Sequence, residues 1–109
     1  MSRIDKVNAA LQQIIAEILF QKLEVPLGLL LTVTRVDCST DMKNAKAYIS
    51  VLPFDKSEEG MHFLTQNRKE IQSLFGKKVK IKYTPILRFI LDDSEEAASK
   101  IYQALDNLE

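Results

Sequence analysis

Seven cationic side chains crowd into residues 65–90: Arg68, Lys69, Lys77, Lys78, Lys80, Lys82 and Arg88, opposed by Glu70 alone. Their densest part reads Lys77-Lys78-Val79-Lys80-Ile81-Lys82-Tyr83, with an ammonium group at every second position from Lys78 to Lys82. On a strand, alternate side chains share a face about 7 Å apart, a spacing that suits a run of phosphates. The chemistry on offer is neutralisation of a nucleic-acid backbone. Asn67-Arg68-Lys69 places further donors just before this stretch, suited to a backbone or a bulged base. The same lysines also suit a solvated outer face, or an edge strand guarded against pairing, where lysine is a common blocker. Both readings stand on the residues alone.

Other reactive residue types are scattered. His62 lies between Met61 and Phe63 with no carboxylate and nucleophile beside it, and reads as a surface side chain. Cys38 ends an apolar stretch, where a thiol serves as a small filler. Asp92-Asp93 suits a helix cap better than an acid–base pair, and Asp41 suits a turn. No Gly-rich phosphate loop, nucleophile elbow or metal-ligand cluster is present. The residues therefore predict no catalytic centre, metal or cofactor. One cysteine excludes an internal disulfide. No apolar run reaches the about 20 residues needed to span a bilayer, and no signal peptide is visible. A cytoplasmic protein is expected.

The elements that must position the cations follow from periodicity. The 109-residue length suits one domain, here taken as residues 1–109. Ile4, Val7, Leu11, Ile14, Ile15 and Ile18 recur at helical spacing, so a helix is predicted from Ser2 to about Lys22. Ser2 is its N-cap, Asp5 suits the helix dipole, and Pro26 ends the segment. Residues 29–37 are rich in β-branched side chains and predict a strand. Ser39-Thr40-Asp41 predicts a turn, and the alternation Ala45, Ala47, Ile49, Val51 a second strand paired with the first as a hairpin. Helical period returns over residues 56–75, with Met61, Leu64, Ile71, Leu74 and Phe75 buried. Asn67 interrupts that stripe, and Gly76 is the expected stop. Residues 77–83 are predicted as the third strand, which Leu87, Phe89 and Leu91 extend past an irregularity at Pro85. Asp93-Ser94-Glu95-Glu96 opens a last helix with Ala97, Ile101, Leu105 and Leu108 on its apolar side. The predicted class is α+β, order α-β-β-α-β-α, with a three-stranded sheet packed against helices.

With these elements in place, the zero net charge of the chain loses its apparent meaning. Fifteen Lys and Arg balance fifteen Asp and Glu. Yet residues 65–90 stand at +6, while residues 91–109 stand at −5, with Asp92, Asp93, Glu95, Glu96, Asp106 and Glu109 against Lys100. Nucleic-acid affinity responds to local potential, not to the total.

The chain resembles the ribosome-binding factor A family over nearly its whole length. The resemblance rests on Arg3-Ile4-Asp5-Lys6-Val7 running into Ile14-Ile15-Ala16-Glu17-Ile18-Leu19. It continues in Thr32-Val33-Thr34-Arg35-Val36 and in Ser39-Thr40-Asp41-Met42-Lys43-Asn44-Ala45-Lys46-Ala47-Tyr48-Ile49-Ser50. Ile71-Gln72-Ser73-Leu74-Phe75-Gly76 and Pro85-Ile86-Leu87-Arg88-Phe89 with Asp92 and Ser94 complete it. It implies a type II KH-like domain in which a kinked helix marked Ala-x-Gly replaces the usual GxxG loop. Asn67-Arg68-Lys69 stands at that place, lacking both the Ala and the Gly, and asparagine tolerates unusual backbone angles. Arg3 matches an early family arginine. Lys6 stands where arginine is common, which keeps the charge and loses the bidentate fork.

The resemblance implies a monomeric, non-catalytic assembly factor. It would bind the 30S subunit, assist late maturation of 16S rRNA including its 5′ end, serve cold adaptation, and be released with a maturation GTPase. The residues expected to touch RNA are Asn67, Arg68, Lys69, Lys77, Lys78, Lys80, Lys82 and Arg88, bordered by Arg3 and Lys6. With few aromatics placed to stack, backbone and shape should outweigh sequence readout. The rival expectation is a protein–protein interaction module without RNA contact, its acidic last helix pairing with a basic partner.

Overall fold

The structure, a computed structural model, describes residues 2–80, 83–94 and 106. Helix α1 spans Arg3–Glu17. Ser2 caps it: its hydroxyl accepts from the Asp5 amide, and the Asp5 carboxylate accepts from the Ser2 amide, both at 3.2 Å. Two first-turn donors are thus satisfied reciprocally. The helix loosens into a wide π turn over Ile18–Lys22 before the chain leaves it. Pro26 and Gly28 then make a turn closed by the Leu29 amide on the Pro26 carbonyl at 3.2 Å. Gly28 sits at φ +88, where a side chain would be strained.

Strands β1 (Leu30–Cys38) and β2 (Asn44–Leu52) form the predicted antiparallel hairpin. Asp41 orders its turn, accepting from the Ser39 hydroxyl at 2.6 Å and the Lys43 amide at 3.0 Å. The ladder slips once: Val33 faces Ile49 and Arg35 faces Tyr48, so Thr34 is the extra residue of a bulge. A short turn over Phe54–Lys56 leads into α2 (Ser57–Gln66), which is followed by α3 (Arg68–Lys78). Strand β3 (Ile86–Leu91) lies parallel to β2, giving the order β1-β2-β3.

The helices share one face of the sheet. Leu11, Ile15, Ile18 and Leu19 of the first helical segment meet Val33, Val36, Ala47 and Ile49 of the sheet and Leu64, Ile71 and Phe75 of the paired helices. Fully burying each large apolar side chain contributes roughly 1.5–3 kcal/mol, so this layer supplies the main drive to fold. Gly60 lets α2 approach closely. A Cβ there would fall 2.8 Å from a Val51 methyl carbon and 3.1 Å from one of Leu31.

Four expectations are corrected. Lys77 and Lys78 belong to the last turn of α3 rather than to a strand, and Gly76 does not stop that helix. Ile71, Phe75 and Val79 are all buried at a spacing of four, so burying Val79 carries the helix through Gly76. The two lysines then sit favourably at the negative end of its dipole. Tyr83, which the predicted strand would turn away from its lysine row and toward the core, is exposed, and the third strand begins only after Pro85. Lys82 and the last helix expected beyond Ser94 lie outside the described residues.

Candidate nucleic-acid interface

The helical stripe over residues 57–78 breaks at Asn67. Its backbone stands at φ −100, ψ 10, outside helical geometry. Its amide N–H and its side-chain NH2 both donate to the Phe63 carbonyl, at 3.1 and 2.8 Å. Asparagine thus ends α2 with its own side chain and starts α3 with its carbonyl, which accepts from the Ile71 amide at 2.9 Å. Because the side chain is spent on α2, it does not cap α3. The N-terminus of α3 therefore opens beside Arg68 and Lys69, with Glu70 the acidic residue of the first turn. Helix N-termini attract anions, and the two cations add to that field.

The break points Arg68 toward β3. Thr65, Arg68, Leu87, Arg88 and Phe89 line one cleft of about 160 Å³. Gln72 ties α3 to the start of β3. The amide group of Gln72 donates to the Pro85 carbonyl at 3.0 Å and accepts from the Leu87 amide at 2.9 Å. Two arginines that stand twenty positions apart in sequence thereby line one recess. Guanidinium forks match phosphate geometry.

The remaining predicted site residues are dispersed. Lys69 is exposed beside Arg68. Lys78 lies at the far end of α3, about 15 Å along its axis from Arg68, and pairs with Glu17 of α1 at 3.8 Å. Lys77 and Lys80 are exposed near it. Arg3 and Lys6 are exposed on the first turn of α1. That end of α1 lies by the C-terminus of β1, since Asn8 accepts from the Cys38 amide at 2.9 Å. The structure brings Arg68 and Arg88 to one cleft, keeps Asn67 and Lys69 beside Arg68 at the helix break, and leaves the other predicted cations apart.

A second set of polar residues escaped the sequence reading. The face of the sheet away from the helices carries Arg35 beside Tyr48 and Lys46 beside Arg88, each pair in direct register. The alternation in β2 signalled an exposed face, but the pairing of Arg35 with Tyr48 depends on the slip at Thr34. Asp92 lies at the end of β3. It accepts from the Thr34 hydroxyl at 2.6 Å and from the Ser94 amide at 3.1 Å. Burial pushes its carboxyl up, but these hydrogen bonds and the Arg35 charge outweigh it and hold the group below its ordinary value. Cys38 is buried in the core, and burial together with Asp37 and Asp41 pushes its thiol up, away from reactivity.

Beside β1 the surface is mainly apolar. Leu19, Phe20, Leu23, Leu29, Leu30 and Val33 are among the residues lining a groove of about 640 Å³ between the end of the first helical segment and β1. Among the described residues, no group of three His, Cys, Asp or Glu side chains could hold a metal ion, and no helix is long and apolar enough to cross a membrane.

Known proteins resemble this chain in sequence and in fold. The model of the ribosome-binding factor A family matches residues 3–105. Ribosome-binding factor A of Bdellovibrio bacteriovorus is 36% identical over 108 residues, covering 98% of this chain and 81% of that protein. That of Chlamydia pneumoniae is 39% identical over 94 residues, covering 84% and 78%. The crystal structure of the Thermus thermophilus protein superposes with a TM-score of 0.71 at 25% identity, covering 81% of this chain and 93% of that one. A homology model of the Thermus thermophilus protein, fitted into the cryo-electron-microscopy map of its complex with 30S, gives 0.64 at 26% identity, covering 76% and 88%. These structures share the KH-like α+β fold seen here.

Proposed function

The chain belongs to the ribosome-binding factor A family, and from that premise we propose that it binds the 30S ribosomal subunit through 16S rRNA. In this reading it assists late maturation of that rRNA, its 5′ end included, without catalysing a reaction. It binds as a cytoplasmic monomer, favours the subunit conformation it fits best, and leaves when a maturation GTPase acts. The observation that carries the reading is the cleft where Arg68 and Arg88 converge beside the open N-terminus of α3. The 30S complex of the Thermus thermophilus relative supports the choice of particle.

The test is cosedimentation with immature and mature 30S particles across a salt series. Binding should favour the immature particle and fall steeply with salt. Equal or absent binding to both would sink the reading. One observation favours the rival, a protein-contact module: the apolar groove beside β1. That reading predicts binding to a purified protein and none to rRNA or to 30S.

A further inference from the structure

The outer face of the sheet has no part in the fold's core and holds an unusual cross-strand pair. The Arg35 guanidinium carbon lies 4.0 Å from the centroid of the Tyr48 ring. Arg35 is exposed and Tyr48 half-buried, so one guanidinium face rests on the ring and the other looks to solvent. We propose that this pair is a stacking platform for an unpaired RNA base, placed on a strand path that runs from the Arg68–Arg88 cleft across β3 and β2. The proposal rests on the RNA-binding function set out above and names a second contact for the same ligand.

The geometry that favours RNA is the arrangement around the platform. Lys46 lies two residues before Tyr48 on β2, about 7 Å along the strand. Arg88 is its register partner on β3, and Arg88 also lines the cleft with Arg68. Arg88 is therefore common to the cleft and to the cationic pair on the sheet. Ile90, the register partner of Tyr48, gives the platform an apolar flank. Two carboxylates share this face. Asp37 is the register partner of Lys46, and Asp92 interacts with Arg35. A base meets this site through its π face, while its phosphates meet Lys46 and Arg88. Arginine planes and aromatic rings are the usual stacking partners of splayed RNA bases.

The experiment uses the full chain with a short unstructured single-stranded RNA carrying 2-aminopurine, alongside immature 30S particles. Wild-type protein should quench the 2-aminopurine fluorescence on binding. Arg35→Lys keeps the charge and loses the plane. It should abolish the quench and weaken oligonucleotide binding roughly tenfold, with the salt dependence unchanged. Tyr48→Leu removes the support beneath the guanidinium and should act in the same direction. Thermal melts of both variants check that they fold. If both bind and quench as wild type does while an Arg68→Glu/Arg88→Glu variant loses affinity, the platform is refuted and the RNA-binding reading stands. The platform is also refuted if the wild type binds immature 30S but not the oligonucleotide, or if polyglutamate competes as well as RNA. Failure of the wild type to bind either RNA or 30S removes the functional reading itself, and the platform with it.

Discussion

The two edges of the sheet are closed by the same device but differ in charge: the space beside β3 carries two arginines and that beside β1 is mainly apolar. At β1, α1 reaches over the open backbone. Asn8 accepts from the Cys38 amide, and the Gln12 side chain donates to the Val33 and Thr34 carbonyls at 3.1 and 3.4 Å. At β3, Gln72 of α3 takes the Leu87 amide and the Pro85 carbonyl. Carboxamides suit this task because one group both donates and accepts. An edge satisfied in this way does not recruit a stray strand. What differs is the space alongside: mainly leucines, valines and Phe20 at β1, and two arginines and Thr65 beside Leu87 and Phe89 at β3. The helix break makes that difference, because it starts α3 next to β3 with Arg68 on its first turn.

The largest effect that tests this contrast is on binding. Each phosphate contact contributes about an eightfold factor in affinity at 0.1 M salt, through a slope of about 0.9 per contact. Reversing both charges with Arg68→Glu/Arg88→Glu should weaken binding to immature 30S by about 50-fold or more at that salt. The slope of log affinity against log salt should shrink by about 2. Phe20→Ser, at the other edge, should leave affinity within about twofold, because an exposed apolar side chain releases no counterions. Equal losses from the two variants would break the contrast and bring the apolar groove into the binding surface.

Much of this scaffold is legible in the sequence, because its signals are local. The cap of α1, the hairpin, the Asp41 turn and the helical stripe through Leu64, Ile71 and Phe75 each declare themselves within a few residues. The lysine-rich stretch misleads because two periods overlap there. Val79, Ile81 and Tyr83 alternate as in a strand, while Ile71, Phe75 and Val79 repeat as in a helix. Burial of Val79 at the foot of the paired helices decides between them, and that is a tertiary fact. The meeting of Arg68 with Arg88 needs the parallel pairing of β2 with β3, which local patterning does not encode. The pairing of Arg35 with Tyr48 needs a one-residue bulge, and a slip of one residue changes which side chains share a face.

The next effects are on stability, and they compare the two closures directly. Gln72→Leu leaves a part-buried N–H and a carbonyl without their partner, and should cost about 2–3 kcal/mol. Gln12→Leu strips donors from two carbonyls, which tolerate the loss better than an N–H does, and should cost about 1–2 kcal/mol. Chemical denaturation of the two variants gives the ordering. Only Gln72→Leu should also weaken 30S binding, since it frees β3 from α3 and widens the arginine cleft. A larger loss of stability from Gln12→Leu would show that the β1 edge is the more dependent on its helix.

The smallest effect concerns the residue that ties the two edges together. Asp92 follows β3, yet it accepts from Thr34 in the bulge of β1, while its carbonyl accepts from the Ser50 hydroxyl of β2 at 2.8 Å. Its carboxyl is held below the ordinary aspartate value despite the opposing effect of burial. A carboxyl lowered by folding stabilises the protein fully above its unfolded value, about pH 4. That contribution is lost as pH falls through the folded value. Asp92→Asn should therefore melt slightly below wild type at pH 7, by about a degree or two for a few tenths of a kcal/mol. The difference should shrink as the pH is lowered below about 4. Asp41 is also lowered, by the Ser39 hydroxyl and the Lys43 amide, but it titrates in both proteins and so cancels from the difference. A gap between the two melting curves that stays constant from pH 7 to pH 2.5 would mean that Asp92 joins the edges by its shape alone, and that its charge contributes nothing to the clasp.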